Sequence, residues 1–313
     1  MRNRIIWLAL VQVLFLILAA GCVNSIFLHP ETARTASVQA PIHPAHYGDV
    51  PQRFTVTNES GRRLNGWCFS ASTNHGVVLI GDGNATGIEH TYEYNRYLLH
   101  RGFNIVILSY QGFDNNEGKA DLDSLIGDVR AFYGFCQKKF PGQPIAFVAE
   151  SLSTAPFFCF ASRHEEIAGI VLEAMVDLRT VALSKAINWW PLYPIFPIIV
   201  PTVAVICAQV PADLSVQKAL QEHSQVPALF IHHPEDRVTP YRIARRIYER
   251  YEGPKEFMVL QTDRTGEFHM TGAYESDIKD KIAGFVQHVL REGRAKNLSE
   301  AAPASGQTKA VQL

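Results

Sequence analysis

Short apolar runs of strand length alternate with longer amphipathic segments through the middle of this chain. Six runs have the length and β-branched content of buried strands: residues 77–80, 103–108, 145–148, 167–172, 228–231 and 257–260. Segments with a helical pattern separate or follow them: residues 88–100, 121–138, 241–251 and 276–291. Strands that alternate with helices of this size predict an α/β fold, in which a mostly parallel sheet has helices on both faces. Two earlier runs, 54–57 and 64–70, predict an N-terminal hairpin.

The composition is sufficient for one large domain, and the charge balance argues against a nucleic-acid partner. Hydrophobic residues make up 47% of the 313 positions, which is enough apolar material for a sizeable core. The formal net charge of -1 predicts no nucleic-acid partner. We expect most cysteines to be small buried side chains, although an oxidising compartment would also allow one or two disulfides. The five cysteines are Cys22, Cys68, Cys136, Cys159 and Cys207.

The first 22 residues have the pattern of an export signal. Two arginines precede an apolar run over 5–20, and small residues lead into Cys22. This order resembles the signal of a bacterial lipoprotein, in which the cysteine is acylated and becomes the new N-terminus; Ala19 stands where that pattern prefers leucine. The resemblance implies a lipid anchor on Cys22, and Val23 in place of aspartate implies the periplasmic face of the outer membrane. An uncleaved anchor helix and an ordinary secreted signal are the alternatives.

The sequence divides the remaining chain into three parts. Residues 23–50 are rich in proline, histidine and alanine and are predicted to be a tether. Residues 51–294 form the predicted α/β domain, and residues 295–313 are predicted to be a disordered tail.

Ser151 is the candidate nucleophile. A predicted strand runs into it within P-I-A-F-V-A-E-S-L-S, residues 144–153, and a helical segment follows. A nucleophile elbow requires this order of strand, sharp turn and helix, with small residues two before and two after the nucleophile. Ala149 and Ser153 are both small, although glycine is usual at both places. The alternative is a serine that only caps the next helix.

The candidate acid and base follow later in the chain. The segment 226–240 reads V-P-A-L-F-I-H-H-P-E-D-R-V-T-P and ends a predicted strand in a polar turn. Asp236 is the candidate acid and Glu235 the fallback, unless both only decorate the turn. Two histidines follow Asp236 in the chain: His269 lies in a loop, and His288 lies within a predicted amphipathic helix, where it would face solvent or core. His269 is therefore the candidate base that would accept the proton of a serine hydroxyl.

These segments resemble the α/β-hydrolase superfamily, in its branch of esterases, lysophospholipases and serine aminopeptidase-like proteins. Asp236 matches the aspartate of that superfamily's G-x-x-D-x-x-V-P segment. Residues 109–118, S-Y-Q-G-F-D-N-N-E-G, look like its D-Y-R-G-Y-G-x-S-x-G. The resemblance extends over about 58–290. It implies an α/β-hydrolase fold and a serine hydrolase acting through Ser151, Asp236 and His269.

The same resemblance implies an oxyanion hole. One donor would be the backbone N–H of Leu152, directly after the nucleophile. The second would come from L-I-G-D-G-N-A-T-G over 79–87, where G-N-A resembles the superfamily's H-G-N-A and assigns the donor to Asn84. Asp82 stands at the usual histidine position. A phosphate-binding loop is a weaker reading of these glycines, because no lysine follows them in the Walker pattern.

An apolar insert over about 176–225 lies where members of this superfamily carry a cap or lid. It contains I-N-W-W-P-L-Y-P-I-F-P-I-I-V-P over 187–201, in which four prolines argue against a membrane-spanning helix. One interpretation is a buried helix and loop. The other is an apolar lid over an acyl pocket, which would suit a small-molecule substrate with a hydrophobic acyl group, such as a lipid ester.

Two further interpretations stay open. A catalytically silent, membrane-tethered binding protein of the same fold would explain the departures from the superfamily pattern, which are Asp82, Gln111, Ala149 and Ser153. A metal hydrolase could use His232, His233 and Asp236, but adjacent residues of a strand point to opposite faces and make poor joint ligands. We expect no cofactor and no metal, and the sequence does not fix the oligomeric state.

Overall fold

One sheet of eight strands forms the centre of the chain in this computed structural model, which describes residues 12–14, 23–30, 44–84, 87–181, 196–236, 238–260 and 275–301. The strands are β1 (Gln52–Thr57), β2 (Arg63–Phe69), β3 (Val77–Gly81), β4 (Asn104–Leu108), β5 (Ile145–Glu150), β6 (Gly169–Glu173), β7 (Ala228–His232) and β8 (Lys255–Val259). Their order across the sheet is β1-β2-β4-β3-β5-β6-β7-β8. The first hairpin and the β2–β4 pair are antiparallel, and the other pairs are parallel. The predicted mostly parallel sheet is confirmed.

Helices cover both faces of this sheet. They are α1 (Val23–Phe27), α2 (Ile88–His100), α3 (Leu125–Lys139), α4 (Thr154–Ala161), α5 (Phe196–Gln209), α6 (Val216–Ala219), α7 (Tyr241–Arg250) and α8 (Glu275–Ala301). The apolar sides of α2 and α8 share one core cluster, and those of α3, α4 and α7 share the other. Strands β3, β4, β6 and β7 are buried at every position, since helices cover them on both sides.

The last helix is longer than the sequence predicts. Helix α8 continues to Ala301, so residues 295–301 are helical where a disordered tail is predicted. The physical reason is local, because this stretch is rich in alanine, lysine, leucine and glutamate and has no proline before Pro303. Residues 302–313 of the predicted tail lie outside the described residues.

The predicted tether also contains ordered structure. Helix α1 follows Cys22 directly, and Phe27 and Leu28 lie in the core cluster that includes the start of α3. Two adjacent apolar side chains therefore fasten this part of the predicted tether to the domain. Cys22 and residues 31–43 lie outside the described residues.

The apolar insert contributes helix α5, which has no charged residue in its 14 positions and holds Pro201 in its interior. In its second half Val203, Val205 and Ile206 are half-buried and Ala204 is exposed. No helix within the described ranges is long and apolar enough to cross a membrane. Residues 182–195 of the insert lie outside those ranges.

The four described cysteines carry free thiols. Cys68, Cys136 and Cys159 are buried, and Cys207 is half-buried. Burial raises the pKa of Cys68 to about 11 and the pKa values of Cys136 and Cys159 further. These buried thiols stay protonated at neutral pH, so they act as small apolar side chains rather than as nucleophiles.

Candidate active site

The turn after β5 holds Ser151 in a strained backbone conformation. Strand β5 ends at Glu150, a single 3-10 turn spans Ser151–Ser153, and α4 begins at Thr154. The φ angle of Ser151 is +47°, in the left-handed region that a residue with a Cβ atom rarely occupies. Such strain persists only where the surroundings enforce it, and it is concentrated at functional sites. The hydroxyl-bearing residue is partly exposed while its neighbours Leu152 and Ser153 are buried.

Close packing against β3 explains why the residues flanking Ser151 are small. A Cβ atom on Gly81 would lie 2.5 Å from the Phe157 ring and 2.8 Å from the Cβ atom of Ser153. Ala149 and Ser153 are fully buried in the same region. Strand β3 and helix α4 therefore approach each other too closely for a larger residue on either side of the turn.

Ser153 has a second role that the sequence does not reveal. The Tyr110 hydroxyl donates a hydrogen bond to the Ser153 Oγ at 2.9 Å, and that Oγ in turn donates to the backbone carbonyl of Asp82. Three segments are thereby joined behind the turn: the end of β4, the turn itself and the loop after β3. Burial raises the pKa of Tyr110 far above its ordinary value, so its hydroxyl remains a donor. The departure from glycine at this position is thus explained by a buried hydrogen-bond bridge.

The loop after β3 carries one of the two candidate oxyanion donors, Asn84, and also Asp82, which stands at the usual histidine position. Asp82 is buried, and its Oδ1 accepts a hydrogen bond from the N–H of Gly83 at 2.6 Å. The Asn84 side chain binds backbone atoms of the N-terminal segment, which leaves its backbone N–H as the group relevant to an oxyanion. Across the site, Leu152 lies in the first turn before α4, where helix geometry leaves backbone N–H groups without helical partners.

Asp236 lies in a turn after β7 and is bound by that turn. Its Oδ1 accepts hydrogen bonds from the N–H groups of Val238 at 2.8 Å and Thr239 at 2.7 Å. Its Oδ2 accepts from the Thr239 hydroxyl at 2.6 Å. The Asp236 side chain is only 7% exposed, whereas the fallback acid Glu235 is exposed. A carboxylate has about four acceptor positions, so one remains for a further donor.

His232 anchors the same turn from the end of β7. Its Nε2 lies 2.7 Å from the carbonyl oxygen of Thr239 and 3.7 Å from Oδ2 of Asp236. Because a carbonyl only accepts, Nε2 carries the proton. Burial lowers the pKa of His232, with the carbonyl of Thr239 and the charge of Asp236 opposing it more weakly. The imidazole is therefore a neutral support for Asp236, a role that sequence reasoning missed.

The two adjacent histidines, His232 and His233, bind different atoms of the turn after β7. The Nδ1 atom of His233 accepts a hydrogen bond from the N–H of Glu235 at 3.1 Å, while His232 binds Thr239. Across the described ranges, no group of three or more His, Cys, Asp or Glu side chains is arranged to hold a metal ion.

His269 lies outside the described residues, as do all residues from 261 to 274. The chain reaches this segment from Leu260, whose N–H donates to the carbonyl of His232 at 2.9 Å, beside the turn of Asp236. The other histidine after Asp236 is His288, whose side chain is 66% exposed on α8 and lies 3.4 Å from Glu292. Because His288 is exposed in the middle of helix α8, it is a poor candidate for the base.

A pair of neighbouring strand ends places a half-buried glutamate, Glu150, directly before Ser151 and a buried glutamate, Glu173, beside it. Glu150 and Glu173 are register partners at the ends of β5 and β6. Glu173 is buried, and its pKa is raised well above the ordinary value by burial and then by the charge of Glu150, while a hydrogen bond from Tyr94 opposes the rise. Its Oε2 has no hydrogen-bond partner within the described chain. Burial therefore favours the protonated form of Glu173, and its position at a strand end is the only sign of this group in the sequence.

A cavity of about 610 Å³ opens at the neighbouring edge of the sheet. It is bounded by β1, β2, the first turn of α2 and the loop after β4, and its walls include Trp67, Glu89 and Asp114. Its volume is in the usual range of small-molecule sites.

Comparison with known proteins gives a relative without an assigned activity. The chain is 21% identical over 255 residues to YfhR of Salmonella typhi, an uncharacterised protein, and the match covers 78% of this chain and 85% of that relative. No protein-family model matches the chain.

Solved structures share the architecture. An esterase of Pyrococcus furiosus, Pf2001, aligns with a TM-score of 0.60 at 16% identity, over 80% of this chain and 94% of that one. A cold-adapted esterase from an Arctic intertidal metagenomic library aligns with a TM-score of 0.55 at 13% identity, over 78% of this chain and 97% of that one. At such identities the likeness shows the fold alone. The chain has the α/β-hydrolase fold, as the sequence predicts.

Proposed function

We propose that this protein is a serine hydrolase that cleaves a carboxylic ester through an acyl-enzyme intermediate. Ser151 would be the nucleophile, His269 the base and Asp236 the acid. The observation that carries the proposal is the φ angle of +47° at Ser151, in a turn between a buried strand and a helix. Ordinary helix caps do not need this strained geometry, whereas a nucleophile raised above the sheet does.

The proposed reaction has two halves. In the first, His269 takes the hydroxyl proton of Ser151 while Oγ bonds to the ester carbonyl carbon. The N–H groups of Leu152 and Asn84 would stabilise the resulting oxyanion. When the carbonyl re-forms, the alcohol leaves with the proton from His269. Water then attacks the acyl-enzyme in the same way and releases the acid and free Ser151.

Asp236 would orient the base. A buried carboxylate that already accepts three hydrogen bonds from its own turn is held in one position and keeps an acceptor site for an imidazole N–H. The neutral ring of His232 stabilises the same turn through its hydrogen bond to the carbonyl of Thr239. In this arrangement Asp236 fixes the tautomer of His269 and stabilises the imidazolium that forms.

A hydrophobic acyl substrate fits the apolar insert. Helix α5 presents half-buried Val203, Val205 and Ile206 without any charge. An uncharged apolar surface is suited to an acyl chain rather than to a sugar or a peptide. Two of the solved structures that share the fold are esterases, which is consistent with this substrate class.

We also propose that the protein is anchored through an acylated Cys22 at the periplasmic face of the outer membrane. The support is the order of charged start, apolar run and small residues before Cys22. Mass spectrometry of the N-terminal peptide from membrane-extracted protein would detect a mass corresponding to acyl chains on Cys22, or an unmodified thiol if the proposal is wrong.

The ester proposal is tested with p-nitrophenyl esters of increasing chain length. We expect hydrolysis that favours medium or long acyl chains, and loss of hydrolysis in His269→Ala. His288→Ala is the matched control, since its side chain is exposed and outside the proposed site. Equal activity of wild type and His269→Ala would contradict the assignment of the base.

The rival function, a silent binding protein, rested on the departures from the superfamily pattern. Ser153 and Asp82 take part in one hydrogen-bond bridge behind the turn. The side chain of Gln111 accepts a hydrogen bond from Nδ2 of Asn58 at 3.1 Å and donates one to the carbonyl of Lys119 at 2.8 Å. The departures at Ser153 and Gln111 therefore have structural roles of their own, and they are not evidence for loss of the reaction.

A further inference from the structure

The segment directly after Cys22 is fastened to the domain by an asparagine. The Nδ2 of Asn24 donates to Oδ1 of Asp121 at 3.1 Å, and its Oδ1 accepts from the N–H of Leu122 at 3.1 Å. Both ends of one side-chain amide are therefore used at the turn that precedes α3. This arrangement fixes the start of α1 in position and direction.

A second asparagine fastens the end of the same segment to the candidate oxyanion loop. The Nδ2 of Asn84 donates to the carbonyl of Phe27 at 2.6 Å, and its Oδ1 accepts from the N–H of His29 at 2.9 Å. Phe27 and Leu28 are 9% and 3% exposed in the same core cluster as Leu152. We name residues 24–29 the clamp, because both of its ends are bound and Phe27 and Leu28 within it are buried.

We infer that the clamp is a rigid spacer between a lipid anchor on Cys22 and the oxyanion loop, so that the site takes its acyl ester from the bilayer that holds the anchor. The inference rests on the proposed ester hydrolysis and on acylation of Cys22. The two residue steps from Cys22 to Asn24 span at most about 7 Å. Lipid chains on Cys22 would therefore enter the bilayer close to the clamp, and the clamp contacts Asn84 directly.

The distance between anchor and site is the property to test. The full-length acylated protein is reconstituted into phosphatidylcholine vesicles that contain p-nitrophenyl palmitate, and p-nitrophenyl butyrate is supplied in the water. A Gly/Ser linker of about 20 residues, inserted between Val23 and Asn24, adds a reach of about 25 Å without touching the clamp. We expect the palmitate rate to fall about five-fold or more, because the site is no longer held at the surface. The butyrate rate should stay within about two-fold.

The matched control is the same linker inserted after Glu31, beyond the clamp. It lengthens the chain equally but leaves the spacing from Cys22 to Asn24 unchanged, so both rates should match wild type. If the first linker leaves the palmitate rate unchanged while butyrate is hydrolysed, the inference is wrong. An unmodified Cys22 would also overturn it.

A point variant tests the clamp if the insertion disturbs folding. Asn24→Ala removes both hydrogen bonds at Asp121 and Leu122. We expect a selective fall in the palmitate rate with little change for butyrate, and an equal fall for both esters would overturn the inference. Failure of the wild-type protein to hydrolyse either ester, together with no fluorophosphonate labelling, would instead contradict the proposed function itself.

Discussion

Two turns at the carboxyl edge of the sheet hold their candidate residues by different means. The turn after β5 holds Ser151 through a left-handed backbone and close packing against Gly81 and Phe157. The turn after β7 holds Asp236 through hydrogen bonds from Thr239 and the support of buried His232. The first turn depends on volume and the second on polar groups that can change protonation. Substitutions at the two turns should therefore differ in mechanism and in pH dependence.

The largest effect should come from the acid. Asp236→Asn keeps an oxygen that can accept the N–H groups of Val238 and Thr239, so the turn should fold. The neutral amide cannot stabilise an imidazolium, and kcat/KM should fall roughly 10³- to 10⁴-fold. Steady-state kinetics on a soluble ester measures the fall. Glu235→Gln, at the exposed neighbour, is the control and should remain near wild type; the reverse pattern would move the acid to Glu235.

The next effect tests the packing of the first turn. Gly81→Ala places a methyl group 2.5 Å from the Phe157 ring and 2.8 Å from Cβ of Ser153, so the free energy of unfolding should drop by roughly 1–3 kcal/mol. Gly134→Ala is the matched control, because no atom outside its own helix lies within 4 Å of the added group. The free energy of unfolding of this control variant should rise by roughly 0.5–1 kcal/mol. Denaturant titration distinguishes the two, and equal stabilities would refute the close approach.

A smaller effect tests the backbone strain at Ser151. Glycine adopts a positive φ without the steric cost that alanine incurs. We expect Ser151→Gly to be more stable than Ser151→Ala by about 1 kcal/mol, while both lack activity. Thermal unfolding of the two inactive variants provides the comparison. Greater stability of the alanine variant would argue that the turn relaxes out of the left-handed region.

The smallest expected effect is a change in the pH dependence of stability, and it comes from His232 in the second turn. Burial lowers the pKa of His232 below its ordinary value of 6.5, so the unfolded chain binds a proton more readily than the native protein. The stability that the neutral ring contributes is therefore present above about pH 6.5 and is lost as the pH falls through the native pKa. Between about pH 7.5 and about pH 5.5, wild type should lose more unfolding free energy than His232→Gln. His288→Gln, at an exposed histidine, should behave like wild type.

The sequence predicts most of the fold because the signals are local. Continuous buried runs identify β3 to β7, whereas β8, predicted as buried, is a half-exposed strand because it lies at the edge of the sheet. Helix α2 begins and ends at Ile88 and His100 as its apolar pattern predicts. Small flanking residues and a strand–helix junction likewise predict where Ser151 lies. Each of these signals is contained within a few consecutive residues.

The contacts that the sequence could not predict join distant segments. Ser153 binds the carbonyl of Asp82, 71 positions away, and Asn84 binds Phe27, 57 positions away. A polar side chain in a loop carries no local sign of its distant partner, so residues 23–30 are predicted as tether although Phe27 and Leu28 are buried. The support that His232 gives to Asp236 was missed for a related reason, since paired histidines suggest metal binding before they suggest a turn anchor.

The central claim is that Ser151 is an activated nucleophile. The most direct measurement is labelling of the purified protein with a fluorophosphonate, followed by mass spectrometry of the modified peptide. The account predicts one phosphonylated residue, Ser151, and loss of labelling in both Ser151→Ala and His269→Ala. A folded wild-type protein that is not labelled, or one that is labelled at another serine, would contradict it.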